Sequence, residues 1–149
     1  MNTRRCYGIV IIMPVPGKIP ATIAGDAHFL QVFSELCTKD SVVAIILFGS
    51  VARGRARPVS DIDLCLLTKT GTPESEQIDL ISYGTAKIDI SLFSGLPLPI
   101  RFRVIKEGIV LFCRDPLALH RTRTATVREY LDTAPLIRKY CLHALQVTG

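Results

Sequence analysis

The chain of 149 residues has no tryptophan, and only 7% of its residues are aromatic. No Lys/Arg run is interleaved with aromatic side chains, so the net charge of +5 does not by itself mark a nucleic-acid binder. That charge still suits phosphate-bearing ligands or an acidic protein partner. No apolar run approaches the roughly 20 residues a helix needs to cross a bilayer. The longest one near the start, Gly8 to Val15, follows two arginines, but Pro14, Pro16 and Pro20 break the segment. No clear small-residue cleavage site follows, so a secretory signal is not expected. No Cys-x-x-Cys pair occurs: Cys6, Cys37, Cys65, Cys113 and Cys141 are scattered and odd in number. That pattern argues against a zinc site or a disulfide framework and fits a reducing, cytoplasmic setting. Internal repeats and long linkers are absent too. Residues 1 to about 25, rich in Pro and Gly, read as an N-terminal extension, and 26–149 as one domain large enough for a core.

What is present is a regular alternation of apolar segments. Asp26 can cap a helix over Ala27 to Thr38, with Phe29, Leu30, Phe33, Leu36 and Cys37 as its apolar stripe. Val42 to Phe48 is a continuous apolar run, short enough for a central strand buried on both faces. Gly71 and Pro73 punctuate a surface turn. Gln77 to Tyr83 alternates weakly and reads as a strand, ahead of the alternative, a short helix at Glu74 to Tyr83. A strand follows over Lys87 to Phe93. Pro97 or Pro99 opens a helix to Glu107, with Gly108 where a helix C-terminus favours glycine. Ile109 to Cys113 is a short strand, after which Asp115 caps and Pro116 opens a final helical region. Pro135 should kink or split that region, with Asp132 or Thr133 as a second cap.

The most informative stretch is Leu47 to Leu67. It runs as an apolar strand, breaks at Gly49-Ser50, crosses a loop dense in arginine, and returns as a strand opening with Asp61 and Asp63. Side chains alternate along a strand, so the two aspartates share a face, spaced roughly 6.5–7 Å apart. Ile62, Leu64 and Leu66 take the other face. Two carboxylates on one face repel unless a cation sits between them, and hard oxygen ligands suit magnesium, Mg²⁺. Gly49 lets the backbone approach a ligand closely. Ser50 can cap a short helix over Val51, Ala52 and Arg53 whose free N–H groups face an anion. Asp89 shares a face with Lys87 and Ser91, opposite Ile88, Ile90 and Leu92, and so repeats the pattern of the Asp61 strand.

Gly49-Ser50, ten residues, then Asp61-Ile62-Asp63 resembles the signature of the polymerase-β-type nucleotidyltransferase superfamily. The fuller form, Gly-Ser-x-Ala-Arg-Gly with Ser-Asp-Ile-Asp-Leu, is similar to its small members, the minimal nucleotidyltransferases (MNT). The likeness runs from about Val42 to Tyr140, with Asp89 in the place of the third carboxylate. It implies an α+β (α/β) fold: a small mixed β-sheet of four to five strands with helices packed mainly on one face. It implies catalytic and metal roles for Asp61, Asp63 and Asp89, and a grip on the nucleotide phosphates by Gly49, Ser50 and Arg53. Arg55 and Arg57 read as decoration of a solvated loop.

MNT proteins are typically antitoxins paired with HEPN ribonuclease toxins, and some move AMP from ATP onto a toxin tyrosine. The resemblance therefore implies ATP as substrate, Mg²⁺ as cofactor and a HEPN toxin as partner. No large acceptor-binding domain is evident after Asp89, so the acceptor surface would come from that partner or from a second copy. Two alternatives stand beside this one: an antitoxin that only occludes its partner, and a transferase modifying a small molecule such as an aminoglycoside. Arg138 and His143 match the Arg-x4-His spacing of HEPN ribonucleases, but with no room for a HEPN domain they read as a surface face of the last helix. His28 and His120 stand apart from the signature.

Overall fold

The computed structural model describes residues 19–147; the apolar run Gly8 to Val15 and Cys6 lie outside them. A short helix α1 (Ala21–Ala24) and helix α2 (Ala27–Thr38) lead into strand β1 (Val42–Phe48). The one-turn helix α3 (Gly49–Ala52), strand β2 (Ile62–Thr68), helix α4 (Glu74–Ile81) and strand β3 (Ile88–Leu92) follow. Helix α5 (Leu98–Glu107), strand β4 (Ile109–Cys113) and helix α6 (Pro116–Val147) complete the order. Sheet order is β3-β2-β1-β4. β1 pairs antiparallel with β2 and β4, whereas β2 and β3 are parallel.

β1 is central and buried on both faces, as its unbroken apolar run requires. Its neighbours split the core in two. Leu47, Leu64, Leu66, Ile88 and Ile90 pack with Phe29, Phe33 and Leu36 of α2 and with Ile23 of α1. Ile46, Cys65 and Leu67 face the other way, against Phe93, Val104 of α5 and Leu119 of α6. The α2 side carries the larger core, but α5 and α6 close the second face as well, a layer that the expectation of helices mainly on one face understates.

Most elements follow their local signals. The Asp26 carboxylate accepts from the His28 and Phe29 amides, 3.0 Å each, at the start of α2. Asp115 does the same for Ala118 at 3.0 Å, with Pro116 opening α6. Gly108 ends α5 with φ −71°, so its glycine is not there for a left-handed turn. A Cβ at Gly108 would run into the Val104 carbonyl and the Ile46 side chain; close packing against β1 sets that choice.

Three expectations are corrected. The segment Gln77 to Tyr83 is not a strand: α4 spans Glu74–Ile81. Two parallel strands cannot be joined by a hairpin, and the crossover from β2 to β3 takes the form of a helix. Glu74 and Glu76 in its first turn complement the helix dipole, while Leu80 alone is fully buried. Nor does Pro135 split α6, which continues through it to Val147. Thr133 does not cap; its hydroxyl donates to the Glu129 carbonyl at 2.8 Å, inside the helix. Pro135 has no N–H for the carbonyl of Leu131, a residue exposed enough for water to take that place. Ser50, finally, does not cap α3: Phe48 holds that position, and no side chain caps the turn.

Candidate active site

β2 and β3 build the site. Their parallel register sets Asp63 opposite Asp89, so two residues 26 positions apart in sequence become cross-strand neighbours. Asp61 immediately precedes β2 and is exposed, as is Asp89; Asp63 is half-buried. Burial raises the Asp63 carboxyl above its usual range, the Asp89 and Asp61 charges raise it further, and Arg53 pulls weakly the other way. The other two sequence-predicted aspartates therefore both act on Asp63.

Above β2, Gly49 and Ser50 form the first turn of α3, directly after β1. Gly49 has φ +75°. A Cβ there would strike the Asp63 carboxylate, so glycine is demanded twice, by conformation and by space. Arg53 follows one turn later; its Nε donates to the Gly49 carbonyl at 3.2 Å and stands 3.8 Å from the Glu107 carboxylate. Glu107 was not among the sequence-predicted site residues. Being the last residue of α5, it carries no local pattern, and only the return of α5 beside α3 brings it in. The Arg53–Glu107 pair is well exposed and contributes little to stability. Arg55 and Arg57 leave in the exposed loop beyond.

Among the described residues, no three His, Cys, Asp or Glu side chains close into a ready cage for a metal ion. The donor set still fits Mg²⁺, which is usually held by one or two carboxylates plus substrate phosphates rather than by an all-protein cage. Crowded carboxylates beside an exposed backbone turn can receive a divalent ion together with a phosphate chain. The histidines take no part: His28 lies at the start of α2, and His120 and His143 lie on α6. Cys37 and Cys65 are buried thiols whose ionisation burial pushes up, to about 11 and about 12, so neither is poised as a nucleophile.

Residues 31–117, more than half the chain, match the family described as Polymerase beta, Nucleotidyltransferase. The chain belongs to that nucleotidyltransferase family. A relative from Methanocaldococcus jannaschii, named as a candidate protein adenylyltransferase, is 35% identical over 71 residues, 48% of this chain and 56% of that protein; the match spans about half of the relative's length. Among solved structures, a chain of a toxin–antitoxin complex with AMP-PNP superimposes with a TM-score of 0.62 at 15% identity, over 80% of this chain and 96% of that one. A chain from a tri-AMPylated Shewanella oneidensis HEPN toxin in complex with its MNT antitoxin gives 0.56 at 15% identity, over 79% and 92%. At that identity the likeness establishes the shared fold. Among the described residues, no helix is long and apolar enough to cross a membrane.

Proposed function

We propose that the protein is a Mg²⁺-dependent nucleotidyltransferase that moves AMP from ATP to a protein hydroxyl, a tyrosine of a HEPN-type toxin, and so acts as its antitoxin. The observation that carries this reading is the cross-strand pairing of Asp63 with Asp89 beneath the Gly49 turn, a crowded negative site with a built-in close approach for phosphate. The relative named for protein adenylylation and the structural neighbours from toxin–antitoxin complexes supply the acceptor class and the partner.

In this reading Asp61 and Asp63 would hold Mg²⁺, which when bound would supply charge neutralisation for the leaving pyrophosphate. The Gly49 and Ser50 backbone and the Arg53 guanidinium orient the phosphates. The acceptor oxygen bonds to the α-phosphorus as the bond from that phosphorus to the β-bridging oxygen breaks. Asp89 takes the hydroxyl proton, and pyrophosphate carries away the electron pair. The test is label transfer from α-labelled ATP with Mg²⁺ to HEPN-type proteins and to lysate of the source organism. A labelled band that disappears in Asp61→Asn/Asp63→Asn supports the reading; no band under any acceptor overturns it.

One observation favours a second reading, neutralisation by occlusion. Leu131, Leu136, Tyr140 and Leu142 on the last half of α6 are 56–74% exposed, an apolar surface suited to a tight partner complex that needs no chemistry. Toxin inhibition that survives Asp61→Asn/Asp63→Asn would select it.

A further inference from the structure

Around the N-terminal end of β2 from the three carboxylates lies a cavity of about 370 Å³ that the reaction above leaves unused. Its floor is apolar, made by Ile23 of α1, Val51 of α3 and Ile62 of β2, and its rim carries Arg57 and Lys87. Ser60 and Ile62 line it and flank Asp61, so the cavity adjoins the site in sequence. The Ile62 amide donates to the Lys87 carbonyl at 2.8 Å, which ties the two walls together at the head of β2 and β3. Ser60 Oγ accepts the Arg57 amide at 2.8 Å and holds the arginine loop over the opening.

The electrostatics are one-sided. Among the described residues, neither Arg57 nor Lys87 forms an ion pair. One carboxylate, Asp26, also lines the cavity, and one of its two oxygens accepts the His28 and Phe29 amides at the start of α2. Lys87 acts on Asp26 only at a distance, as a lesser cause of its lowered pKa behind the Phe29 amide. Two cations against one carboxylate leave the rim net positive above an apolar floor. A cavity of this size and make-up takes an apolar side chain with an acidic group beside it.

We propose that this cavity is an acceptor subsite: it seats an apolar-acidic step of the acceptor polypeptide, such as Leu-Glu, a few residues from the hydroxyl that receives the nucleotide. Lys87 immediately precedes β3 and Asp89 is the second residue of that strand, so an extended acceptor segment rounding the head of β2 and β3 passes from the rim to the carboxylates. Ile23, Arg57 and Lys87 become specificity-determining residues, and α1 becomes part of substrate recognition. The proposal rests on the protein-hydroxyl reading for its meaning but not for its test.

The test uses fluorescein-labelled nine-residue peptides with a central tyrosine and either Leu-Glu or Leu-Gln placed two to four residues to each side. Binding is read by fluorescence polarisation without ATP, for the wild type, Arg57→Gln/Lys87→Gln and the charge-conserving Lys87→Arg. The expected result is a Glu member that binds about tenfold tighter than its Gln isostere, as a charge-assisted hydrogen bond supplies. The double variant loses that preference and Lys87→Arg keeps it. Equal binding of Glu and Gln members at every offset overturns the proposal, as does a preference that survives the double substitution or no peptide binding at all. AMP transfer to the same peptides is then measured separately. Glu-selective binding without transfer sinks the transferase reading and leaves the subsite standing; transfer to all peptides alike, with KM unmoved by the double variant, does the reverse.

Discussion

Two charged groups near strand ends behave in opposite ways. Arg114, just past β4, is satisfied from within the molecule. Its guanidinium donates to the Val42 carbonyl at 3.1 Å, the Cys37 carbonyl at 2.7 Å and the Lys39 carbonyl at 3.3 Å, and it stands 3.8 Å from Asp40. It sews the end of α2 to β1 and β4. Asp63, at the other end of the sheet, is surrounded by charges of its own sign, and Arg53, the opposing charge that reaches it, is already shared with Glu107. One end of the sheet spends its charge on the fold, whereas the other holds carboxylates that the fold compensates only weakly. Uncompensated electrostatics in an accessible place mark a functional site more reliably than charge alone.

The largest expected effect falls on the uncompensated end. Asp63→Asn should lower nucleotide transfer by about a thousandfold or more, the scale seen when a group stabilising transition-state charge is removed. Melted without ligand at neutral pH, that variant should be no less stable than the wild type. Gly49→Ala should match it in activity and also lose about 1–3 kcal/mol of stability, because its Cβ meets Asp63 at a positive φ. At the satisfied end the split reverses. Arg114→Ala should cost about 2–4 kcal/mol in denaturant titrations by stranding carbonyls of α2 and β1, with transfer retained wherever the protein stays folded. If folded Arg114→Ala lost transfer as Asp63→Asn does, the contrast between the two ends would fail.

A pH titration sharpens the same contrast. Asp63 binds its proton more tightly in the folded state than unfolded, so its contribution favours the fold at low pH and fades as pH rises through its raised folded value. Relative to wild type, Asp63→Asn should therefore gain stability on going from pH 4 to pH 7, and added Mg²⁺ should stabilise only the wild type over that range. The smallest effect belongs to the Arg53–Glu107 pair. Glu107→Gln should change stability by about 1 kcal/mol or less, since both partners are well exposed. Its effect on transfer reads out whether Arg53 needs that carboxylate to hold its orientation.

Local rules carried much of the architecture. The caps at Asp26 and Asp115, the burial of β1 and the bounds of α5 and β4 all stood in the sequence, because each depends on side chains within a few positions of one another. The weak alternation at Gln77 to Tyr83 misled for the same reason. Eight residues with one buried leucine cannot tell a strand from a helix, and the parallel pairing of β2 with β3 decided it. As a signal for a split, Pro135 misled in the other direction: a missing amide is costly inside a protein, but cheap on an exposed turn of α6.

The candidate site divides along the same line. The sequence alone determined the alternation within each strand, Asp63 against Ile62 and Leu64 and Asp89 against Ile88 and Ile90, since the period of a strand is a property of the backbone. Asp61 and Lys87 stand just ahead of those strands, where that period does not reach. The sequence also placed a Gly-Ser turn directly after an apolar strand. Only the tertiary structure decided that Asp89 stands opposite Asp63, that Asp63 fills the space a Gly49 side chain would need, that Glu107 meets Arg53, and that α1 closes a cavity over Ile62. Those facts depend on strand register and on helices returning from distant parts of the chain, and no local interaction carries that information.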